Sequence, residues 1–285
     1  MSVTTVKPTI LPNAPRPAFR FTTDASVAMS NRIANPRYGG GGSAAFPNVN
    51  SVAFDGVDDS SSVRPGILDH EMNYSGSFWF KLPVMPTVTD YMVMDGMGSV
   101  ISINPSGTLA FGTVWYINYG FGSSSYSSQI SADTWYHLVW TRQRNSGGAS
   151  NPTFSHYLNG ALLGSATNVG DRQSYNFGNN YRSDSTGFFG SYNATSGYVN
   201  CIIDEIALFS DENGDSGVLS ATDVADIYGE GAPGDLTAYK PRNWYRMGDG
   251  TGDSATTVYD RGSDTGTTTD MTLVNASYST DVPQT

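Results

Sequence analysis

The stretch that decides the fold is Tyr198–Gly231, YVNCIIDEIALFSDENGDSGVLSATDVADIYGEG. Its first third, Tyr198 to Phe209, is dense in β-branched and aromatic residues, the composition of a strand. Neither alternating set is purely polar. Val199, Cys201, Ile203 and Phe209 fall on one face, and Ile202, Ile206 and Leu208 on the other. A strand apolar on both faces belongs inside a sandwich rather than at its edge. Asp204 and Glu205 interrupt it. A buried charge costs free energy unless it is hydrogen-bonded, so at least one of them is expected to hold backbone donors of a neighbouring loop. The last third opens with Ser220 as an N-cap and Asp223 three residues on, the pattern of a capping box. Val224 and Ile227–Tyr228 follow at helical spacing, and Gly229 and Gly231 end the helix, which is expected over 219–228.

Working outward, further strand-like stretches appear in order. Ala45 to Val63 holds the first strands. Phe78 to Leu82 alternates with Phe78 and Phe80 on one face and Trp79 on the other. Tyr91 to Met97, Ser99 to Ile103 and Leu109 to Tyr119 read as strands, with a turn at Asn104-Pro105-Ser106-Gly107. Trp135 to Arg142 sets Tyr136, Leu138 and Trp140 against Trp135, His137 and Val139. Phe154 to Leu163 is a hairpin turning at Asn159-Gly160. Gly120–Ser128, Asn145–Asn151 and Gly170–Gly187 are polar loops.

Strand, loop, capped helix and glycine stop, in that order, resemble the closing unit of laminin-G-like, concanavalin A-like domains. Val52-Ala53-Phe54-Asp55-Gly56 resembles their opening strand and turn, Ser77-Phe78-Trp79-Phe80-Lys81 their Trp-bearing strand, Thr134-Trp135-Tyr136-His137-Leu138-Val139 their Trp–His strand, and His156-Tyr157-Leu158-Asn159-Gly160 their hairpin. The resemblance covers roughly Val52 to Gly231. It implies an all-β, two-sheet antiparallel jelly-roll sandwich. Past Gly231, Trp244-Tyr245-Arg246-Met247-Gly248-Asp249-Gly250 and Met271-Thr272-Leu273-Val274-Asn275-Ala276 resemble the tail of concanavalin-like structural proteins of tailed phages. There Trp244 and Met247 would start a strand returning to the sheet, with Leu273 beside it. A jelly roll closes with its terminal strands adjacent, so one domain over 45–285 is expected.

Composition sets the bounds. The chain has 285 residues, 38% hydrophobic and 14% charged, enough for one large sandwich core. Its 32 glycines favour short strands and turns. The formal net charge of −11, without a Lys/Arg cluster, argues against nucleic acid as a partner. No apolar run approaches the roughly 20 residues that cross a bilayer, so no membrane partner is expected. Cys201 is the single cysteine and reads as buried filler, which excludes an internal disulfide. The first residues lack the regions of a signal peptide. An exposed-looking β protein made without that export route fits a virion protein, produced in the host cytoplasm and carried on the particle.

Residues 1–44 hold Pro8, Pro12, Pro15 and Pro17 and a Gly39–Gly42 run, the marks of an extended arm. Val6, Ile10, Leu11, Phe19 and Phe21 give that arm apolar anchors for a neighbouring subunit or another virion protein, within a homo-oligomer such as a trimer.

Chemistry is sparsely signalled. Glycosidases on this kind of fold place two acids on one strand facing a cleft. Asp204 and Glu205 are adjacent, so they are expected to point to opposite faces and to be structural, as are Trp135 and Ser220. His70, His137 and His156 show no nucleophile elbow or zinc spacing, and no catalytic residue is expected. Asp211, Asn213 and Asp215 resemble the start of a calcium loop but lack its glycine and its bidentate glutamate; calcium is the one cofactor weighed, and none is expected. Asp55, Asp58 and Asp59 form a second acidic group better explained by turn chemistry. Loop tyrosines Tyr116, Tyr119, Tyr126, Tyr175 and Tyr181, with Phe121, suit either a subunit interface or stacking on sugar. The sequence thus favours a non-enzymatic virion structural protein, on the capsid exterior or a tail appendage. The alternatives are an adhesin that binds host surface glycans and a glycoside hydrolase or lyase.

Overall fold

A computed structural model describes residues 46–63, 73–94, 99–113, 124–127, 129–143, 153–167, 186–210, 217–263 and 269–284. The arm residues 1–44, including Val6, Ile10, Leu11, Phe19 and Phe21, lie outside the described residues. So do Asp211, Asn213, Asp215, Tyr116, Tyr119, Tyr175 and Tyr181.

In chain order the strands are β1 (Ser51–Asp55), β2 (Ser60–Ser62), β3 (Tyr74–Lys81), β4 (Asp90–Met94), β5 (Ser99–Ile103), β6 (Leu109–Thr113) and β7 (Ser124–Tyr126). They continue with β8 (Trp135–Gln143), β9 (Thr153–Leu158), β10 (Ala161–Thr167), β11 (Phe188–Phe189), β12 (Ser191–Asn193), β13 (Ser196–Tyr198) and β14 (Asn200–Ser210). The α-helix α1 (Ala221–Tyr228) and a 3-10 turn at Thr237–Tyr239 precede β15 (Asn243–Tyr245), β16 (Thr257–Val258), β17 (Met271–Val274) and β18 (Ser277–Ser279).

The large antiparallel sheet runs β10-β9-β8-β3-β14-β1-β18, with β15 also paired to β14. A second sheet runs β11-β4-β5-β6-β7, flanked by a β16-β17-β2 sheet and a β12-β13 hairpin. The first and last strands pair, Val52 opposite Tyr278, which closes the sandwich as a jelly roll. The capped helix forms as its sequence dictates. Asp223 N–H donates to Ser220 Oγ, the Asp223 carboxylate accepts from Ser220 N–H, and Gly229 closes the helix in the left-handed region at φ 60°. The Asn159-Gly160 turn has positive φ at both residues, the geometry that matches strand twist in a two-residue hairpin.

Two apolar layers result. Phe78, Phe80, Leu138, Trp140, Ile101, Ile103 and Phe189 fill the space between the sheets. On the other face of the large sheet, Val139, Ala207, Phe209 and Trp244 pack under α1 through Val224 and Ile227. The alternation expected for Phe78–Leu82 and for Trp135–Arg142 is the one observed.

Two expectations need correction. Leu273 does not lie beside the returning strand. Asn243–Tyr245 does return to β14, but Leu273 pairs with Ser61 in the small flanking sheet. Just after Tyr245 the chain turns too tightly to run on as one strand: Met247 takes φ 45° and Gly248 φ 111°. The second correction is in β14. Cys201 and Ile203 face the inter-sheet core, but so do Ile206 and Leu208, while Ala207 and Phe209 face the helix. The cause is a bulge. Asp204 stands opposite Trp79 and Ala207 opposite Ser77, so β14 takes three steps where β3 takes two. One extra residue inverts the alternation beyond it.

Candidate functional site

The bulge builds the most unusual polar site of the described residues. On the side of β14 away from β3, β1 pairs as far as Ile203 and β15 begins at Ile206. Asp204 and Glu205 occupy the gap between those two neighbours. Glu205 takes a left-handed φ of 46°, unusual for a non-glycine residue. The adjacent acids therefore do not split between faces. Asp204 is in register with Trp79 on the helix side, and Glu205 bonds the indole of Trp244 on that same side.

Both acids are sealed, Asp204 at 0% and Glu205 at 2% exposure. Glu205 Oε2 accepts from Trp244 Nε1 at 2.6 Å, and Oε1 from Arg246 Nε at 3.0 Å. Asp204 Oδ2 accepts from Asn48 Nδ2 at 3.0 Å, and Oδ1 from the Glu205 N–H at 2.9 Å. The loop backbone donors expected from the sequence are thus replaced by side chains, apart from that one adjacent N–H. Arg246 also donates to the Pro47 carbonyl and lies 4.0 Å from the centre of the Phe46 ring. Phe46 in turn stacks on Trp244 at 5.9 Å. Asp249 completes the group. Its carboxylate accepts from Val49 N–H and Asn50 Nδ2, each at 2.8 Å, with Arg246 Nη2 at 3.9 Å. Burial and the neighbouring Glu205 charge raise the Asp204 carboxyl well above the carboxylate range. Burial likewise pushes Glu205 up to about 7, against the pull of Arg246 and Trp244. A glycosidase pair must flank a sugar bond. These acids are closed over by Phe46, Trp244 and Arg246 and reach no cleft.

A second polar pair lies under the helix. Ser77 Oγ and His137 Nε2 are 2.8 Å apart, with the His137 ring packed beside Trp79 at 4.8 Å and Tyr228 at 6.1 Å, which stack on each other at 5.7 Å. His137 is 1% exposed, its Nδ1 has no partner among the described residues, and burial pushes its pKa down to about 3. Burial disfavours the charged imidazole and, among the described residues, no acid orients it, so the pair lacks what a Ser–His base needs. His156 stacks on Phe111 at 3.8 Å and meets the Tyr126 hydroxyl at 3.2 Å; burial lowers it to about 4. Tyr126, read from the sequence as a rim tyrosine, is half-buried and packs edge-on against Phe111.

Other candidates fall into place individually. Trp135 Nε1 donates to Asp281 at 2.9 Å, next to Lys81, which bridges Asp281 and Asp133. The carboxylates of Asp55, Asp58 and Asp59 lie within 4.8 Å of one another. Two of them are spent on their own turn, Asp55 accepting from Val57 N–H and Asp59 from Asp55 N–H. The sequence reading missed one surface feature. Tyr91 of β4 and Tyr192 of β12, both half-buried, set their rings 4.9 Å apart at 47°. A hundred residues separate them and only the packing of β12 on β4 joins them, so no local pattern announces the pair.

A family profile described as the concanavalin A-like lectin/glucanase superfamily, of the laminin-G type, matches residues 55–224, more than half of the chain. The chain belongs to that superfamily. The fold agrees with solved structures. A candidate carbohydrate-binding protein from Bacteroides ovatus aligns with a TM-score of 0.57 at 11% identity, over 84% of this chain and 62% of its own. The chain therefore spans less than two thirds of that protein. A SAP-like pentraxin from Limulus polyphemus aligns at TM-score 0.42 and 15% identity, over 65% of this chain and 84% of the pentraxin. A Trypanosoma rangeli sialidase aligns at TM-score 0.43 and 14% identity, over 64% and 27%. At 11% identity the likeness to the Bacteroides ovatus protein is one of fold. A search of curated proteins finds no match.

Proposed function

We propose that the protein is a carbohydrate-binding module of the lectin kind, serving attachment to surface glycans rather than their cleavage. The superfamily holds both lectins and glucanases. The observation that supports the first is the state of Asp204 and Glu205: the acids on the central strand are consumed in a buried cluster. Half-exposed tyrosines supply the complementary chemistry, since an aromatic ring stacks on the apolar face of a sugar while its hydroxyl takes a polar partner. Tyr91 and Tyr192 are the described pair of that type, and Tyr116, Tyr119, Tyr175 and Tyr181 are the sequence candidates.

The test is a glycan array with the full chain, followed by affinity measurements on any hit. Tyr91→Ala and Tyr192→Ala are expected to weaken binding about tenfold, near 1.4 kcal/mol, with the melting temperature retained. A parallel assay for reducing-sugar release should stay at background; sugar release that tracks the protein would replace this reading with a hydrolase. The virion assignment, with residues 1–44 as a docking arm and a homo-oligomeric state, rests on the phage resemblance and on the composition of the sequence. Locating the protein in purified particles, and deleting residues 1–35 to ask whether assembly fails, test it separately from glycan binding.

A further inference from the structure

The acid cluster in β14 has a second consequence. It joins strand β14 to Phe46–Asn50, the segment that leads into β1. Asn48 bonds Asp204, Val49 and Asn50 bond Asp249, and Phe46 and Pro47 sit on Arg246. The group holds three carboxylates, of Asp204, Glu205 and Asp249, and one guanidinium, of Arg246. Glu205 has both oxygens on strong donors, and Asp249 has two donors besides Arg246. Asp204 has only neutral ones. The amide of Asn48 carries a complementary defect: its Oδ1 is buried without a partner among the described residues. An ionised Asp204 only accepts, so it strands that oxygen. A neutral carboxyl both donates and accepts, and an acid and an amide then satisfy each other.

We propose that Asp204 keeps a proton in the native protein and that this proton latches Phe46–Asn50 onto β14, so that its loss as pH rises frees the root of the N-terminal segment. Ionisation would leave three negative charges against one positive charge in a sealed volume, where repulsion is strong. The direction of the Asp204 shift agrees. Among the described residues, the charged neighbours of Asp204 are few. Glu205 lies on β14 itself, and Arg246 and Asp249 follow β15. From β3 come Trp79, opposite Asp204, and Lys81, which is tied to Asp133 and Asp281. The 46–50 segment contributes no titratable group.

Two measurements on the full chain decide the matter. In the wild type, the Asp204 carboxyl carbon followed by NMR should report a protonated acid at pH 6.5 and titrate above that; an ionised Asp204 at pH 6.5 overturns the proposal. Limited proteolysis should cleave within residues 46–50 several-fold faster at pH 9 than at pH 6.5, after normalising to an unfolded peptide of the same sequence. Asp204→Asn, which cannot lose a proton, should show no such rise. Equal normalised rates in the wild type, or the same rise in Asp204→Asn, overturn the latch. If Asp204→Asn fails to fold, the two wild-type measurements still decide it.

Discussion

Side-chain direction was legible where the chain alternates without interruption. Phe78 and Phe80 against Trp79, and Tyr136, Leu138 and Trp140 against His137 and Val139, follow from period two alone. It was illegible where one residue breaks the count. Nothing in Ile203-Asp204-Glu205-Ile206 announces the bulge except the two acids, and their adjacency argued for opposite faces. Gly76 is similarly silent in sequence. It stands opposite Trp140, and a Cβ built there would lie 2.0 Å from Cζ2 of that fully buried indole. Gly76→Ala is therefore an overpacking change. It should destabilise by about 1–3 kcal/mol, read as a lower denaturant midpoint; an unchanged midpoint would mean that Trp140 has room to move.

At the scale of elements, the capped helix was the most legible part because its signals are local. Ser220, Asp223 and Gly229 each act within one turn. Ser220→Ala removes the acceptor for the Asp223 N–H and half of the capping box. It should cost about 1 kcal/mol by chemical denaturation, with Ser220→Asp restoring most of it. Helix and strand β14 also depend on each other, since Val224 and Ile227 pack against Ala207 and Phe209. Ile203 is fully buried on the opposite face. Ile203→Asp places an unpaired charge between the sheets and should abolish soluble expression; a soluble, cooperatively melting variant would contradict the inward placement. What the elements' own sequences could not show was the course of the tail after Trp244, because pairing of Leu273 with Ser61 joins residues that share no local pattern.

For the whole molecule, the buried titratable groups oppose one another, and the stability profile should show it. His137 and His156 are held neutral, with folded values near 3 and 4 against about 6.5 when unfolded. Below pH 6.5 the unfolded chain binds protons that the native state refuses. Their contribution is complete above pH 6.5 and is lost as pH falls, by roughly 2 kcal/mol apiece between pH 6.5 and 4.5. Asp204 and Glu205 act in the reverse sense. Their folded values are raised, so the native state holds protons that the unfolded chain has released. Their contribution is complete below about pH 4 and is lost as pH rises, for Glu205 through about 7. Between pH 4.5 and 6.5 the acids oppose the histidines, so the wild-type denaturation midpoint should fall less toward pH 4.5 than the histidines alone would make it, and it should fall on the alkaline side as Glu205 ionises through about 7. The variants separate the contributions. Asp204→Asn removes one raised acid, so its midpoint should drop toward pH 4.5 relative to the wild type. His156→Gln keeps an acceptor for the Tyr126 hydroxyl but cannot titrate, so its midpoint should rise toward pH 4.5. Two variants with profiles parallel to the wild type would show that neither group is buried in the state assigned to it.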